Sequence, residues 1–321
     1  MDSFYYLFSA KIRRMLLHAQ LELQKLQEIR MRKGQPVFLY YKEQEYALTE
    51  DGRLEKEAQK GYRIQESDFK EMLESISGYS LYAFEEELKQ GYLTVPGGHR
   101  IGVAGKLICD RDGVSCIRNI AFLNIRLAHQ IKGCADFVMK YLCEAGEVCH
   151  TLIVSPPRCG KTTLLRDIIR QISDGTDLLA GQNVGVVDER GELAGSYCGV
   201  PQNDLGRRTD VLENCEKGLG MMMLLRSMAP QVLAVDELGS SEDEAAVEKI
   251  FYCGCRLFAT VHGSSLEDLK RIQWLNDIQK RRLFERYIIL DAQAKAGTVR
   301  EIFDGAGVLL YSRKQSEGSL C

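Results

Sequence analysis

Hydrophobic and polar positions in the second half of the chain alternate between two periods. Short, continuous apolar runs are typical of buried strands, and they occupy residues 152–154, 183–187, 231–235 and 256–261. The segment that begins at Lys161 instead repeats its apolar residues every three or four positions, which predicts an amphipathic helix. Strands that alternate with helices in this way predict a parallel sheet with helices on its faces.

The first half of the chain has a mixed pattern. The segments with a helical spacing of apolar residues are 4–29, 67–76 and 80–88. The runs that predict strands are 35–41, 92–95 and 114–127, the last as two strands. The pattern changes again near residues 130–133, just before a helix that begins at Ala135. We therefore expect an N-terminal α+β domain over residues 1–130 and an α/β domain over residues 131–321.

The composition is typical of a soluble globular protein. The 321 residues are 45% hydrophobic and 27% charged, and they suffice for two ordinary domains. A formal net charge of −3 gives no overall attraction to nucleic acid or anionic lipid, so any such contact needs a local patch. No apolar run approaches the roughly 20 residues of a membrane-spanning helix, and residues 1–4 lack the basic start of a secretory signal. We therefore expect a cytoplasmic protein.

The eleven cysteines show no paired spacing of the kind that binds zinc. The closest pair, Cys253 and Cys255, has no second pair of His or Cys nearby. We interpret the cysteines as free, mostly buried thiols. Cys159 is the exception, because it lies in a candidate phosphate loop where an alkylating agent would reach it.

The residues between the first strand and the helix at Lys161 match a phosphate-binding loop, or P-loop, in all but the first position. The pattern begins with Gly, where this chain has Ser155. Such a loop needs backbone N–H groups around a phosphate, a lysine for the β and γ phosphates, and a hydroxyl for Mg²⁺. Gly160, Lys161 and Thr162 fill those places, and Thr162 is thus a predicted metal ligand. The predicted nucleotide contacts are Ser155, Pro156, Pro157, Arg158, Cys159, Gly160, Lys161, Thr162 and Thr163.

Carboxylates follow two of the predicted strands. Ligands of open α/β sheets bind at the carboxyl ends of strands, so we expect these acids to face the same crevice as Lys161. In the later pair, Asp236 is the predicted Mg²⁺ ligand, and Glu237 is the residue that orients or deprotonates the attacking water. Glu189 and Glu192, after the earlier strand, are competing candidates for that base.

For some polar residues the sequence leaves alternatives open. His262 ends a third strand, where it either contacts the γ-phosphate or Glu237, or packs at a turn. Arg100 follows two glycines, and it is either a structural ion-pair partner or a cation for a phosphate held by another subunit. Arg118 and Arg126 are further basic candidates. The basic residues between 270 and 286 are interpreted as solvated helix faces.

Four motifs resemble those of the secretion ATPases, the hexameric motors of type II and type IV secretion and pilus systems. The Walker A, Asp, Walker B and His boxes correspond, in that order, to GKTT (160–163), VDERGE (187–192), MLLRSMAPQVLAVDELG (223–239) and TVHG (260–263). A closer resemblance, to the stage III sporulation protein AA family, is carried by EIRMR (28–32), residues 80–105 and RRTDVLENCEKG (207–218). Two departures are Ser155 for the first Gly of the loop, and Asp236 where pilus motors usually have Gly.

The resemblance implies a RecA-like P-loop core with a smaller N-terminal domain, and ATP and Mg²⁺ as cofactors. It also implies a homo-oligomer, in these motors a hexamer, in which the N-terminal domain supplies arginines such as Arg100 and Arg118 to a neighbour's nucleotide. The implied partners are membrane-embedded proteins of a sporulation channel between mother cell and forespore. They would hold the protein at the membrane on the mother-cell side.

Two alternative functions stay open. One is a nucleic-acid-translocating ATPase of the same core fold; the sequence shows no basic stripe interleaved with aromatics, so no nucleic-acid partner is expected. The other is a nucleotide-dependent scaffold with little turnover. An ABC transporter subunit is disfavoured, because the Leu-Ser-Gly-Gly-Gln signature does not occur.

Overall fold

The structure is a computed structural model that describes residues 3–76, 88, 91–110, 113–239 and 241–313. The contacts within the chain divide it into two compact units. The first comprises Met1–His129 and Gly195–Gln202, and the second comprises Gln130–Ala194 and Asn203–Cys321. Gly195–Gln202 therefore belongs to the first unit although the sequence of the second surrounds it. The helix expected over residues 80–88 lies outside the described residues, apart from Leu88.

The first unit contains a seven-stranded antiparallel sheet and two α-helices in its described part. The strands are β1 (Leu26–Arg32), β2 (Phe38–Tyr41), β3 (Gln44–Leu48), β4 (Leu54–Glu55), β5 (Tyr92–Val95), β6 (His99–Asp110) and β7 (Gly113–Arg126). The helices are α1 (Ala10–His18) and α2 (Glu66–Ile76). The strand order is β4-β3-β2-β1-β7-β6-β5. Alternate strand residues, such as Ile29 and Ile125, share one buried cluster with Ile12 of α1 and Phe69 of α2.

The continuous helix predicted over residues 4–29 is wrong. Helix α1 covers only its middle part, and begins where the Ser9 hydroxyl accepts a hydrogen bond from the backbone N–H of Ile12 (3.3 Å). The chain turns at Gln20, whose φ of +47° lies outside the right-handed helical region. Strand β1 then pairs on both sides, with β2 and with β7. This long-range pairing overrides the helical spacing of the local sequence. The two runs predicted over 114–127 likewise form one strand, β7.

The second unit contains an eight-stranded sheet. Before the sheet come the helix α3 (Asp136–Leu142) and a short hairpin, β8 (Cys143–Glu144) and β9 (Glu147–Val148). The strands of the sheet are β10 (Thr151–Ser155), β11 (Val184–Asp188), β12 (Thr209–Glu213), β13 (Val232–Val235), β14 (Arg256–His262), β15 (Arg286–Leu290), β16 (Val299–Asp304) and β17 (Leu309–Ser312). The helices between them are α4 (Lys161–Asp174), α5 (Lys217–Ser227), α6 (Ser241–Tyr252), α7 (Leu266–Leu269) and α8 (Gln273–Lys280).

The strand order is β12-β11-β13-β14-β10-β15-β16-β17. The first six strands are parallel, as predicted, whereas β16 and β17 add antiparallel pairs at one end. The interpretation of the basic residues up to 286 as a helix face is wrong for Arg286, which begins β15. Arg286 is buried, and its guanidinium donates to the carbonyl oxygen of Tyr141 (2.6 Å).

Both faces of this sheet are covered. On β10, Ile153 belongs to one buried cluster together with Leu164 and Ile168 of α4, whereas Leu152 belongs to a second cluster together with Ile250 of α6. Each Leu or Ile side chain buried in this way stabilises the fold by about 1.5–3 kcal/mol. Because β10, β11, β13 and β14 are parallel, their carboxyl ends meet at one edge of the sheet.

Among the described residues, no helix is both long and apolar enough to cross a membrane. The ten cysteines of this part of the chain are free. The expectation that they are mostly buried is wrong, because only Cys149 and Cys255 are buried, and Cys109, Cys198 and Cys253 are exposed.

Candidate nucleotide site

The predicted phosphate loop connects β10 to α4. Strand β10 ends at Ser155 and α4 begins at Lys161, so the N–H groups of a helix N-terminus face the loop. Gly160 precedes the helix with φ +86°, and a Cβ at this position would lie 2.3 Å from the backbone nitrogen of Gly297. The N–H of Gly297 donates to the carbonyl oxygen of Cys159 (2.7 Å). The loop therefore requires glycine at 160, and the turn that contains Gly297 holds it in place.

The other loop residues are fixed mainly by local contacts. Ser155, in the place of the usual glycine, is buried, and its hydroxyl donates to the carbonyl oxygen of Pro156 (2.8 Å). Cys159 Sγ lies 3.5 Å from the carbonyl oxygen of Pro157. Arg158 adopts φ +63°, a left-handed conformation that turns the backbone sharply before the helix.

Lys161 forms an ion pair with Glu237 across the strand ends. The Glu237 carboxylate also accepts a hydrogen bond from Arg190 Nη1 (2.7 Å) and lies 3.2 Å from His262 Nε2. Burial would raise the pKa of Glu237, but the hydrogen bond and charge of Lys161, together with the charges of Arg190 and His262, hold that pKa below its ordinary value. Glu237 is therefore ionised at neutral pH.

Asp236 lies between two threonine hydroxyls. Thr162, in the first turn of α4 next to Thr163, and Thr260, on β14, both donate to its carboxylate. Thr260 Oγ1 also accepts a hydrogen bond from the N–H of Glu237 (2.9 Å), a residue held at φ +58°. Left-handed backbone at a non-glycine residue is strained, and such strain is concentrated at functional sites. The hydroxyl of Thr162 and the carboxylate of Asp236 are the oxygen ligands that suit Mg²⁺.

Asp188, the last residue of β11, organises the loop that follows the strand. The buried Asp188 carboxylate accepts hydrogen bonds from the backbone N–H groups of Glu192 (2.8 Å), Leu193 (3.2 Å) and Ala194 (2.7 Å). Burial raises the pKa of Asp188, although these three N–H groups oppose the effect. Arg166 of α4 holds the same loop by donating to the carbonyl oxygens of Glu192 (2.6 Å) and Leu193 (2.9 Å).

The acids at the ends of β11 and β13 line one small cavity. Its walls are formed by Asp188, Glu189, Arg190, Glu192, Lys217, Asp236 and Glu237. The structure thus brings the three candidate bases together. Glu189 is paired with Lys217 of α5, whereas Glu237 is paired with the lysine of the phosphate loop.

Sequence reasoning assigned no binding role to Arg190, Lys217 or Thr260, although all three contact the acids of this cavity. Arg190 and Lys217 stand inside the motifs VDERGE and RRTDVLENCEKG, which are the signals that point to them.

Arg100 and Arg118 belong to the first unit. Arg100 lies on β6, with its guanidinium carbon 4.3 Å from the ring centroid of Tyr92. Arg118 lies on β7, opposite Lys106 of β6. Their role toward a phosphate of another subunit stays a prediction.

The architecture and the loop define a class. A mainly parallel sheet with a P-loop before α4, and acids at neighbouring strand ends, is a RecA-like P-loop core accompanied by a smaller N-terminal α+β domain. The family model described as "Sporulation stage III, protein AA" matches residues 1–310, and the chain belongs to this family. Stage III sporulation protein AA of Bacillus subtilis (strain 168) is 40% identical over 280 residues, which cover 87% of this chain and 84% of that one.

Two solved structures have the same fold. The pilus retraction motor PilT with bound ADP has a TM-score of 0.58 and 15% identity, over 94% of this chain and 83% of that one. The ATPase DotB of Legionella pneumophila has a TM-score of 0.56 and 17% identity, over 92% of this chain and 80% of that one. The fold class and the family expected from the sequence are thereby confirmed.

Proposed function

We propose that the chain binds ATP together with Mg²⁺ at the cluster around Lys161, and hydrolyses it. The observation that carries the proposal is the convergence of Lys161, Thr162, Asp236 and Glu237 at the carboxyl ends of parallel strands, beside a helix N-terminus. A cation, a hydroxyl and two carboxylates are the groups that phosphoryl transfer to water requires.

Each residue has a role that its present contacts suggest. Lys161 would exchange Glu237 for the β and γ phosphates, while the N–H groups of the loop surround the β-phosphate. Thr162 and Asp236 would hold Mg²⁺, which when bound supplies positive charge to the phosphate oxygens. Glu237, released from Lys161, would keep its contacts with Arg190 and His262 and orient or deprotonate the attacking water.

Among the three acids, Glu237 is the best supported base. Its carboxylate is ionised, and it lies directly against the lysine that would hold the γ-phosphate. Glu189 is neutralised by Lys217 on α5, and Glu192 contributes its backbone carbonyl to the loop that Arg166 holds. Glu189 and Glu192 remain the alternatives to be tested beside Glu237.

The working form in this proposal is a ring of identical chains, six in number. Arg100 and Arg118 of one copy would reach the triphosphate of the next, and so complete the charge stabilisation of the transition state. Family membership supports a role in sporulation. The ring would act from the mother-cell cytoplasm on membrane-embedded channel proteins, and couple hydrolysis to assembly of the channel or to transport through it.

Calorimetric titration of the full chain with ATP and Mg²⁺ tests the binding site. Lys161→Ala is expected to abolish measurable binding, because it removes the cation that faces the phosphates. Lys280→Ala, an exposed lysine at the end of α8, is the matched control and is expected to bind as wild type does. Wild-type affinity in Lys161→Ala would contradict the proposal.

A further inference from the structure

The loop that follows β11 carries Arg190, whose Nη1 donates to the carboxylate of the proposed base Glu237 (2.7 Å). Residues 189–194 lie between β11 and the next strand and belong to neither a helix nor a strand. Leu193 and Ala194 of this loop are buried, and a buried backbone needs partners for its N–H and C=O groups. The side chains that supply these partners decide where Arg190 lies relative to Glu237.

Two buried side chains of opposite charge hold the same stretch of this loop. The Asp188 carboxylate accepts from the N–H groups of residues 192–194. Arg166 binds the carbonyl groups: its Nη2 donates to the oxygen of Glu192 (2.6 Å) and its Nε to that of Leu193 (2.9 Å). The donors and acceptors of neighbouring peptide groups are thus both occupied, which restricts the course of the backbone.

Arg166 belongs to the helix of the phosphate loop. It lies five residues after Lys161 on α4 and is 8% exposed. Burial lowers the pKa of its guanidinium, whereas the charges of Asp188 and Asp236 raise that pKa. Arginine stays charged at neutral pH in either case. The helix whose N-terminus faces the phosphate loop therefore also holds the loop that carries Arg190.

The shape of the guanidinium matters for this contact. Nε and Nη2 lie along one edge of a planar fork, so Arg166 binds two successive carbonyl oxygens in a fixed relative direction. A lysine ammonium is a single point of charge and would reach one of them. Burying a cation costs free energy, and a neutral donor also binds here: Asn203 Nδ2 donates to the carbonyl oxygen of Leu193 (2.9 Å). The fork adds a fixed direction that a single neutral donor does not supply.

We propose that Arg166 is a positioning residue for ATP hydrolysis, which fixes the loop after β11 so that Arg190 meets Glu237. The inference rests on the proposed function, because it concerns the neighbour of the proposed base. Arg166 acts through Arg190 and not on the nucleotide. It therefore sets kcat and leaves the affinity for ATP almost unchanged.

Hydrogen exchange tests the support of the loop in the absence of nucleotide. In the full-length chain, Arg166→Ala is expected to raise the amide exchange rate of residues 192–194 about tenfold or more, because local opening frees the N–H groups that Asp188 holds. Arg166→Lys keeps the buried charge and is expected to show a smaller rise. It carries the test should Arg166→Ala not fold, which the fluorescence of Trp274 in the same unit reports.

The matched control is Arg170→Ala. Arg170 is an arginine of the same helix, but its Nη2 donates to Asp167 (2.7 Å) and not to the loop. This variant is expected to lose stability with its ion pair, and to keep the wild-type exchange rate at residues 192–194 together with the wild-type kcat. It thus separates a loss of stability from a loss of positioning.

A double-variant cycle tests whether Arg166 acts through Arg190. Arg166→Ala is expected to lower kcat about tenfold, as Arg190→Ala does, with a Kd for ATP within about threefold of wild type. In the Arg190→Ala background the same change is expected to lower kcat by less than about twofold further. Arg166→Lys is expected to recover part of kcat.

Three results would overturn the inference. They are an unchanged exchange rate at residues 192–194 in Arg166→Ala, a fall in kcat that multiplies with that of Arg190→Ala, and full recovery of exchange and kcat in Arg166→Lys, which would show that charge alone matters. Wild-type chains that do not hydrolyse ATP would contradict the proposed function instead, and the exchange rates would still decide whether Arg166 holds the loop.

Discussion

Lys161 and Glu237 form one ion pair, so the cation suited to the phosphates and the acid suited to activating water hold each other. In the proposed function, triphosphate binding separates them, because the same ammonium cannot serve both partners fully. Arg190 and His262 contact Glu237 independently of Lys161, so we expect both to stay beside the carboxylate when Lys161 leaves. In the proposed function, the pair therefore links occupation of the phosphate loop to release of Glu237.

Glu237→Gln separates binding from hydrolysis. The neutral amide competes less well for Lys161, so we expect ATP to bind at least as tightly as in wild type. Without the carboxylate, phosphate release is expected to slow by about a hundredfold or more. Calorimetry and a phosphate-release assay measure the two effects, and Glu267→Gln, an exposed acid on α7, is the control. Equal turnover by wild type and Glu237→Gln would move the base role to Glu189 or Glu192, whose Gln variants are measured in parallel.

Arg190 is expected to position Glu237 during turnover. Arg190→Ala removes the guanidinium that stays beside the carboxylate once Lys161 contacts phosphate, so kcat is expected to fall about tenfold with a small change in the Kd for ATP. Arg190→Lys restores the charge without the planar guanidinium and is expected to recover part of kcat. The control is Arg207→Ala, an exposed arginine paired with Asp174. A weakened ATP affinity with unchanged kcat would show that Arg190 binds nucleotide and does not position the acid.

The arginines of the first unit are tested by mixing two inactive variants. Arg100→Ala keeps its own phosphate site, and Glu237→Gln keeps the arginine for its neighbour. If the arginine acts across a subunit interface, about a quarter of the interfaces in an equal mixture join an intact arginine to an intact Glu237. The mixture then regains hydrolysis. Arg118→Ala is mixed with Glu237→Gln in the same way. Arginines that act within their own chain would leave the mixtures inactive, and so would arginines with no role at a phosphate. A fully active Arg100→Ala chain would remove Arg100 from catalysis.

His150 makes the stability of the second unit depend on pH. Its Nδ1 accepts a hydrogen bond from the N–H of Leu257 (3.0 Å), and burial, aided by the charge of Arg256, lowers its pKa to about 4. In the unfolded chain His150 has an ordinary pKa of about 6.5, so as the pH falls the unfolded chain is protonated before the folded chain. The free energy of unfolding therefore falls between pH 6.5 and 4, by about 3 kcal/mol in total.

Fluorescence of Trp274, the one tryptophan of the chain, reports unfolding of this unit at each pH. His150→Gln offers Leu257 an acceptor that does not titrate, and is expected to flatten this part of the pH profile. His18→Gln, a histidine on α1 in the other unit, is expected to keep the wild-type profile. An unchanged profile in His150→Gln would show that other groups cause the acid sensitivity.

Local sequence patterns predict the parts of this fold that depend on neighbours in the chain. The P-loop and the acids after apolar strands are such parts, because an open α/β sheet brings the carboxyl ends of its strands together. The start of β1, residues 26–29, is wrongly predicted as helix, because these residues also fit a helical spacing. Pairing with β2 and β7 makes them a strand. The apolar residues of β16 and β17 do not indicate whether these strands pair parallel or antiparallel, so their antiparallel pairing was not predicted.

The contacts of charged side chains were harder to foresee. Nothing in the local sequence says that Arg190 reaches Glu237, since 46 residues separate them in the chain. The same holds for the contact between the rings of Phe137 and Tyr311, which lie at opposite ends of the second unit's sequence. Such contacts depend on the topology of the fold, which the periodicity of apolar residues does not specify.

The most direct test of the central claim is an experimental structure of the Glu237→Gln variant with ATP and Mg²⁺. We expect the triphosphate in the loop before α4, with Lys161 Nζ on its β and γ oxygens, and Mg²⁺ beside Thr162 and Asp236. A triphosphate bound elsewhere on the chain, with Lys161 still turned toward residue 237, would contradict it.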